Sequence, residues 1–326
     1  ETPLRELLDS EKADRFGSWK QEGLPRHCRR CRELRYCHGG CPAHRFDKAP
    51  GGEPGLNYLC EGYRIFYRHT LPHFEAMATL GALAAETKHA RIGCLVFYVG
   101  YRNPALLAKA ATTLDHISGG RFELGIGAGW HVWEASAYGY PFPDIGTRLD
   151  MLEEAAQIIR RMLTEDRTTF SGTHYQVDDA SCLPKPVQSR LPIWIGGVGE
   201  KRTLKVVADH ADGWNAAYLS PAEFRRVNEV LNHWCEDEAR DPRSLKRAAN
   251  VLFNLGMSKK DLEAQRERLH ADWGRSATQM EAGALLCTPD QAVARLMEYA
   301  EAGADEINVA LRAPWNEEAL DAYLTE

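Results

Sequence analysis

The clearest pattern of apolar and polar positions begins at residue 92. Residues 92–99 form a nearly continuous apolar run with β-branched and aromatic members, a pattern typical of a strand buried on both faces of a parallel sheet. Asn103 and Pro104 then supply a helix N-cap and a first-turn proline, and an apolar stripe follows at helical spacing. A second apolar strand starts at residue 122 and ends in a Gly-Ala-Gly turn at residues 127–129. This stretch predicts a βαβ unit with a glycine-rich turn at the strand end where α/β folds bind ligands.

The rest of the chain repeats the alternation of strand and helix. Residues 170–187 predict a short hairpin insertion, and apolar runs predict four more buried strands, near residues 193, 213, 250 and 308. Regular βα alternation is typical of a TIM-type barrel. Because eight strands close such a barrel and only six are evident, we expect an α/β fold in the form of an incomplete TIM-type (β/α)8 barrel.

A second glycine-rich turn follows the strand near residue 193. Gly196, Gly197 and Gly199 lie between that strand and a helix start near Glu200. Glycines at such a position let backbone N–H groups approach an anion at the positive helix end. The turn lacks the Gly-Lys-Ser/Thr of a Walker A loop, and a tight βα turn without a ligand is the alternative interpretation.

Two candidates for acid/base chemistry lie just past the first glycine-rich turn. His131 and Glu134 are three residues apart and could form a general acid/base pair or weak metal ligands. A solvated helix start is the competing interpretation of both residues. The sequence has no G-x-S-x-G motif, so the pattern favours a cofactor site over a nucleophile.

Five of the nine cysteines fall in the first 60 residues, in the pattern C-x2-C-x5-C-x3-C followed by one more: Cys28, Cys31, Cys37, Cys41 and Cys60. Clustered thiolates suit iron–sulfur clusters or zinc. Residues 1–72 are turn-rich with few periodic apolar positions, and a small domain of that kind needs a staple. The segment therefore predicts a metal site, with an unmetallated segment as the alternative, and the four scattered cysteines are interpreted as small buried hydrophobes.

Charge and hydropathy exclude several classes of protein. A net charge of −6 argues against a general nucleic-acid binder, and no apolar run approaches the roughly 18 residues of a membrane span. The chain begins without Met and without a signal-peptide pattern. We therefore expect a cytoplasmic protein, a fragment at its amino end, that acts on a small molecule.

The amino-terminal motifs resemble a known family. They are Cys28-Arg29-Arg30-Cys31, Cys37-His38-Gly39-Gly40-Cys41-Pro42 and the run from Gly55 to Tyr63. Residues 1–72 resemble the SPASM domain of anaerobic sulfatase-maturating enzymes, which are radical-SAM proteins with two auxiliary [4Fe–4S] clusters in that domain. The resemblance implies that one cluster, or zinc in its place, is ligated by Cys28, Cys31, Cys37 and Cys60. It makes Cys41 an orphan ligand of the second cluster, and we expect no sulfatase-maturase activity because the radical-SAM C-x3-C-x2-C motif is not in this sequence.

The remaining motifs resemble a second family. They are Tyr101-Arg102-Asn103-Pro104, Leu124-Gly125-Ile126-Gly127-Ala128-Gly129-Trp130, Ile195-Gly196-Gly197-Val198-Gly199-Glu200 and Ala211-Asp212-Gly213-Trp214. Together they resemble the bacterial luciferase-like superfamily, and most of all its coenzyme F420-dependent branch. The resemblance covers the chain from about residue 76 to its end, and it implies a TIM-type barrel with a deazaflavin or flavin at the carboxyl ends of its strands.

That second resemblance also implies site residues. The cofactor phosphate would lie on Gly196, Gly197 and Gly199, and Phe97 with Gly127, Ala128 and Gly129 would flank the ring. The family's non-prolyl cis peptide, matched by its distance from Asn103-Pro104, would join Cys94 to Leu95. The chemistry would be hydride transfer between coenzyme F420 and an organic substrate, or monooxygenation with FMN.

The first two βα units of the second family are not evident, and the cysteine-rich segment stands in their place. We therefore interpret the chain as a chimera of residues 1–72 and 73–326. The strand at residues 92–99 would present an unpaired edge, which we expect the cysteine-rich segment or the second subunit of a homodimer to cover. The alternatives are a non-catalytic electron-transfer or zinc-binding protein and an inactive product of joined genes.

Overall fold

The structure is a computed structural model that describes residues 24–30, 45, 47–56, 60, 76–311 and 317–325. The chain forms two compact units, residues 1–79 and 80–326, and the expected boundary at residues 72–73 lies outside the described residues. In the first unit, the described residues form helix α1 (Arg26–Arg29) and an antiparallel pair, β1 (Asp47–Lys48) and β2 (Pro54–Leu56). The backbone N–H of Arg26 donates to Glu53 Oε2 over 2.7 Å, which joins the start of α1 to the loop between these strands.

From residue 76 onward the chain alternates strands and helices. In order, the elements are α2 (Ala76–Glu86), β3 (Ile92–Tyr98), α3 (Pro104–Ser118), β4 (Phe122–Gly127), α4 (Val132–Ala137), α5 (Ile145–Thr164), β5 (Thr168–Ser171), β6 (Gln176–Ala180), β7 (Ile193–Gly196), α6 (Thr203–His210), β8 (Gly213–Ala217), α7 (Pro221–Asp237), β9 (Lys246–Phe253), α8 (Lys259–Trp273), α9 (Ala277–Ala282), β10 (Ala284–Leu285), α10 (Pro289–Glu301), β11 (Glu306–Ala310) and α11 (Glu317–Thr325).

Seven of these strands form one sheet in which every pair is parallel. The order is β3-β4-β7-β8-β9, and both β10 and β11 pair with β9. The six predicted strands are all present, and β10 is an additional strand of two residues, too short for its pattern to be recognised. Among the described strands, β3 pairs with β4 alone and β11 with β9 alone, so the barrel is open. The expected α/β incomplete barrel is therefore confirmed.

The helix boundaries coincide with capping residues, among them the predicted Asn103. The Asn103 side chain accepts from the N–H of Ala105 over 2.9 Å, and α3 ends at Gly119 in the left-handed conformation. Ser220 and Thr288 each open a helix with a capping box followed by proline. The predicted hairpin insertion is present as β5 and β6, which pair antiparallel.

The helical face of the sheet is largely apolar, apart from the buried Arg247, which donates to Asn228 and Asn232 of α7. The other face mixes polar and apolar side chains. On the helical side, the Trp214 ring stacks on Phe224 of α7 with centroids 5.1 Å apart. On the other side, near the amino ends of the strands, the indole of Trp194 donates to Glu123 Oε2 over 2.9 Å. Nearer the carboxyl ends, Asn215 and Asn250 exchange amide hydrogen bonds of 2.8 and 3.0 Å. On this face, Trp194 therefore lies near the amino ends of the strands, and the two asparagines lie nearer the carboxyl edge that carries the candidate site.

Candidate cofactor site

The two glycine-rich turns lie side by side at the carboxyl edge of the sheet. In the parallel ladder Gly127 pairs with Gly196, and Gly196 pairs with Asn215. Tyr98 at the end of β3 continues the same row, because it pairs with Gly127. Strand register thus brings together turns that are 69 residues apart in the sequence (196 − 127 = 69).

Val96 fills the gap above these paired glycines. A Cβ on Gly127 would lie 2.6 Å from Val96 Cγ2, and a Cβ on Gly196 would lie 2.9 Å from Val96 Cγ1. Glycine at both positions is therefore required by the close approach of one side chain. Val96 was not among the residues that the sequence suggested, because no local pattern reveals a contact between three separate strands.

The non-prolyl cis peptide joins Leu95 to Val96, one residue later than predicted. The prediction of Cys94–Leu95 counted back from Asn103-Pro104, and such a count cannot register the irregular pairing of β3 with β4 between Cys94 and Phe97. Phe97 is buried beneath the Arg102 guanidinium, Cys94 is half-buried, and Leu95 is 41% exposed. Of the two residues predicted to share the cis peptide, Leu95 is therefore part of it and Cys94 is not.

The loop after β7 packs tightly against the start of α6. A Cβ on Gly197 would lie 2.9 Å from Thr203 Cγ2, and one on Gly199 would lie 2.7 Å from Thr203 Oγ1. Gly197 also has a φ of +136°, a conformation that other residues rarely adopt. The buried Thr203 is the first residue of α6, so a hydroxyl that the sequence did not suggest lies beside the predicted phosphate-binding glycines.

Hydrogen bonding in this loop is one-sided. The carbonyl groups of Gly197, Gly199 and Glu200 accept from Trp214 Nε1, the N–H of Leu204 and Trp234 Nε1, at 2.7, 3.1 and 2.7 Å. In contrast, the hydrogen bonds of the described chain include none donated by the backbone N–H groups of residues 198–202. The N–H of Gly197 does donate, to the carbonyl of Asn215 over 3.1 Å, so that glycine shapes the loop while its neighbours offer the donors.

Tyr98, at the end of β3, lies against Gly100 in the turn after β3 and against Gly129 in the turn after β4. A Cβ on Gly129 would lie 2.6 Å from Tyr98 Cδ2, and one on Gly100 would lie 2.5 Å from the Tyr98 hydroxyl. That hydroxyl is buried and has no hydrogen-bond partner within the described part of the chain. Burial raises the pKa of the Tyr98 phenol, and the nearby Arg148 opposes the rise. The Arg148 Nε donates to the carbonyl of Ala128 over 3.0 Å, which holds the middle of the glycine-rich turn.

The structure pairs Glu134 with a tyrosine and not with His131. Glu134 Oε2 accepts from the Tyr101 hydroxyl over 3.0 Å. Burial, and then the hydrogen bond to Glu134, raise the pKa of Tyr101 to about 12, so the phenol remains a donor at neutral pH. The His131 ring instead lies between two largely exposed indoles, with centroids 4.7 Å from Trp130 and 6.1 Å from Trp133. No hydrogen bond or ion pair joins His131 to Glu134 among the residues that the structure describes.

The cysteine-rich segment is described in part. Cys28 is buried in α1, and Cys60 is half-buried. Cys31, Cys37 and Cys41 lie outside the described residues. The predicted four-thiolate site therefore stays a prediction.

Comparison with known proteins decides the family of the larger unit. The family model described as luciferase-like monooxygenase matches residues 55–306. This chain belongs to the luciferase-like monooxygenase family. In this luciferase-like chain, none of the described helices is long and apolar enough to cross a membrane.

Curated relatives of this luciferase-like chain include a monooxygenase and an F420-dependent dehydrogenase. Pyrimidine monooxygenase RutA of Acinetobacter baylyi is 31% identical over 210 residues, which are 62% of this chain and 53% of that protein. The F420-dependent glucose-6-phosphate dehydrogenase of Intrasporangium calvum is 35% identical over 137 residues, 41% of each chain. The chain spans about half the length of the curated relatives it matches.

A third relative is a sulfatase-maturating enzyme, which the chain matches over a short stretch. The serine-type anaerobic sulfatase-maturating enzyme of Bacteroides thetaiotaomicron is 43% identical over 74 residues, 23% of this chain and 18% of that enzyme. The partial similarity has the length expected of the cysteine-rich segment.

Solved structures support the luciferase-like fold. An F420-dependent secondary alcohol dehydrogenase in complex with an F420-acetone adduct superposes with a TM-score of 0.65 at 20% identity, covering 76% of this chain and 84% of that one. The long-chain alkane monooxygenase LadA gives a TM-score of 0.65 at 15% identity, with 80% and 73% covered. The fold is therefore shared by proteins of both chemistries.

Replacing Gly127 by alanine should destabilise the carboxyl edge. The new Cβ would overlap Val96, and overpacking of this kind lowers the free energy of unfolding by roughly 1–3 kcal/mol. Combining Gly127→Ala with Val96→Ala should recover part of that loss, with a coupling of about 1 kcal/mol in a double-mutant cycle measured by denaturant unfolding. The control is Gly81→Ala, whose Cβ would meet no atom within 4 Å. Additive effects of Gly127→Ala and Val96→Ala would contradict the proposed packing.

Replacing Glu134 by glutamine should lower the pKa of Tyr101 from about 12. The substitution removes the carboxylate charge that favours the protonated phenol, while burial keeps the pKa above its ordinary value. Ring carbon chemical shifts of labelled tyrosine, followed against pH, measure the change. Tyr175, whose pKa of about 12 results first from burial and not from Glu134, is the internal control. An unchanged titration of Tyr101 would exclude the pairing.

Proposed function

We propose that this chain is an oxidoreductase that transfers hydride between coenzyme F420 and an organic substrate. The observation that carries the proposal is the one-sided loop after β7, in register with the glycine-rich end of β4. Five consecutive N–H groups directly before a helix, none of which donates to a described residue, suit a phosphate, because the helix dipole and the available donors both favour negative charge there.

The residues at this edge fit a phosphorylated deazaflavin or flavin. A Cβ at Gly197 or Gly199 would collide with Thr203, so the loop can adopt its compact form only with glycine. The N–H groups of residues 198–202, with the Thr203 hydroxyl, would hold the phosphate, while Val96 and the Gly127–Gly129 turn would lie toward the ring. When bound, the cofactor supplies a site that accepts or donates hydride.

The remaining work of the reaction would fall to Glu134 and Tyr101. The Tyr101 hydroxyl holds the Glu134 carboxylate through Oε2, which leaves Oε1 to take a proton from a substrate hydroxyl or to return one. The exposed indoles of Trp130 and Trp133 would offer apolar contact to an organic substrate. His131 keeps its place as a candidate, but the pairing with Tyr101 favours Glu134.

FMN-dependent monooxygenation is the second candidate function. The match to the pyrimidine monooxygenase extends over 210 residues, compared with 137 for the F420-dependent glucose-6-phosphate dehydrogenase. Both cofactors carry a phosphate and a tricyclic ring, so the loop after β7 would serve either.

For the cysteine-rich segment we propose a [4Fe–4S] cluster on Cys28, Cys31, Cys37 and Cys60, with zinc as the alternative and Cys41 as an orphan ligand. The partial similarity to a sulfatase-maturating enzyme and the cysteine spacing support this proposal. A homodimer, a small-molecule substrate and a cytoplasmic location stay predictions from the sequence.

Titration with the two cofactors tests the function of the larger unit. We expect coenzyme F420 to bind more tightly than FMN, measured by quenching of cofactor fluorescence. With F420 bound, secondary alcohols and glucose 6-phosphate should be screened for F420 reduction, and Glu134→Gln should lower the rate roughly 100-fold or more without changing the F420 dissociation constant. The matched control, Glu301→Gln on the exposed end of α10, should change neither quantity. Tighter binding of FMN would favour the monooxygenase, and binding of neither cofactor would support an inactive product of joined genes.

Anaerobic reconstitution tests the metal site. With iron and sulfide, the full chain should gain a broad absorption band near 400 nm, and Cys28→Ser should abolish it, because thiolate ligands form the cluster. Cys235→Ser, a buried cysteine of α7, is the control and should keep the band. Uptake of zinc without colour would select the alternative, and uptake of neither metal would end the proposal.

A further inference from the structure

In the loop after β7, two peptide units have a carbonyl group that accepts a hydrogen bond and an N–H group that donates to no described residue. In a trans peptide the C=O of one residue and the N–H of the next lie in one plane and point in opposite directions. A hydrogen bond to the carbonyl therefore fixes the direction of the following N–H. In this loop the carbonyls of Gly197 and Glu200 are bonded to indoles, whereas the N–H groups of Val198 and Lys201 donate to no acceptor among the described residues.

We propose that Trp214 and Trp234 are positioning residues for anion binding by this loop. Trp214 fixes the plane between Gly197 and Val198, and Trp234 fixes the plane between Glu200 and Lys201. Neither indole touches the anion; each holds an N–H group in the direction that a phosphate oxygen needs. This inference rests on the proposed phosphate site, and it extends that site to two side chains from the neighbouring elements β8 and α7.

Both indoles are in contact with neighbouring side chains, Trp214 more tightly than Trp234. Trp214 is 0% exposed, and its ring is stacked on Phe224. Trp234 is half-buried on α7, with the Lys205 ammonium 5.9 Å from its ring centroid. Each indole, held by these contacts, orients the peptide unit whose carbonyl it binds, so the following N–H group would be in place before the anion binds.

The peptide units beside these two are fixed as well. The N–H of Leu204 donates to the carbonyl of Gly199 over 3.1 Å, which sets the plane that carries the N–H of Glu200. The N–H of Gly197 donates to the carbonyl of Asn215, and the Asn215 side chain is locked to Asn250 by two amide hydrogen bonds. The loop is therefore held by β8 at one end and by α7 at the other.

The experiment follows the backbone amide resonances of residues 198–202 in the full chain during titration with inorganic phosphate. In the wild-type protein phosphate should shift the resonances of Val198 and Lys201. Trp214→Phe and Trp234→Phe each remove one indole N–H and keep an aromatic ring. Each should weaken phosphate binding about fivefold to tenfold, the range of one lost hydrogen bond. Trp214→Phe should reduce the shift of Val198 most, and Trp234→Phe that of Lys201.

The matched control is Trp194→Phe, which removes the indole bond to Glu123 and should leave phosphate binding unchanged. Equal weakening in all three variants would overturn the positioning role, because the effect would then not be specific to this loop. Unchanged binding in Trp214→Phe and Trp234→Phe would overturn it as well. If phosphate shifts none of the amide resonances of residues 198–202 in the wild-type protein, the positioning role is overturned too. Phosphate binding without any affinity for F420 or FMN would instead refute the proposed function and leave the positioning role intact.

Discussion

Close packing of Val96 against Gly127 and Gly196 sets the geometry of the carboxyl edge of the sheet. The side chain occupies the space that a Cβ on either glycine would need. Because protein interiors tolerate little change in volume, this contact fixes the distance between the ends of β3, β4 and β7. The turns that follow β4 and β7 can then face one ligand.

The loop after β7 supplies hydrogen-bond donors at that edge. The carbonyl groups of Gly197, Gly199 and Glu200 accept hydrogen bonds, whereas the N–H groups of residues 198–202 donate to no acceptor in the described part of the chain. In the proposed function, selectivity for a negatively charged group would come from these backbone dipoles and from the helix that follows. The guanidinium of Arg202, at the end of this loop, is bound to the Gly146 carbonyl and to Asp150 of α5.

Local signals predicted much of the fold. Asn103-Pro104 marks a helix start because capping is decided within a few residues. The apolar runs that became β4 and β7 were equally legible, since strands buried on both faces have no polar alternation. The strand β3 was also found, but it leaves Gly93 and Leu95 exposed and is not buried on both faces as predicted. The two-residue β10 was missed because so short a strand has no periodicity.

The site was predictable only where its residues sit in local motifs. Both glycine-rich turns were found, whereas Val96, Thr203 and Trp234 were not, since their roles depend on contacts across strands and helices. The predicted partner of Glu134 was its sequence neighbour His131, and the structure selects Tyr101. The cis peptide was misplaced by one residue because register irregularities do not show in residue counts.

A crystal structure of the full chain with coenzyme F420 bound tests the central claim most directly. The account predicts that phosphate oxygens lie about 3 Å from backbone nitrogens within residues 198–202, with the deazaflavin ring extending toward Val96. A cofactor whose phosphate lies on another element, with those nitrogens facing only solvent, would contradict it.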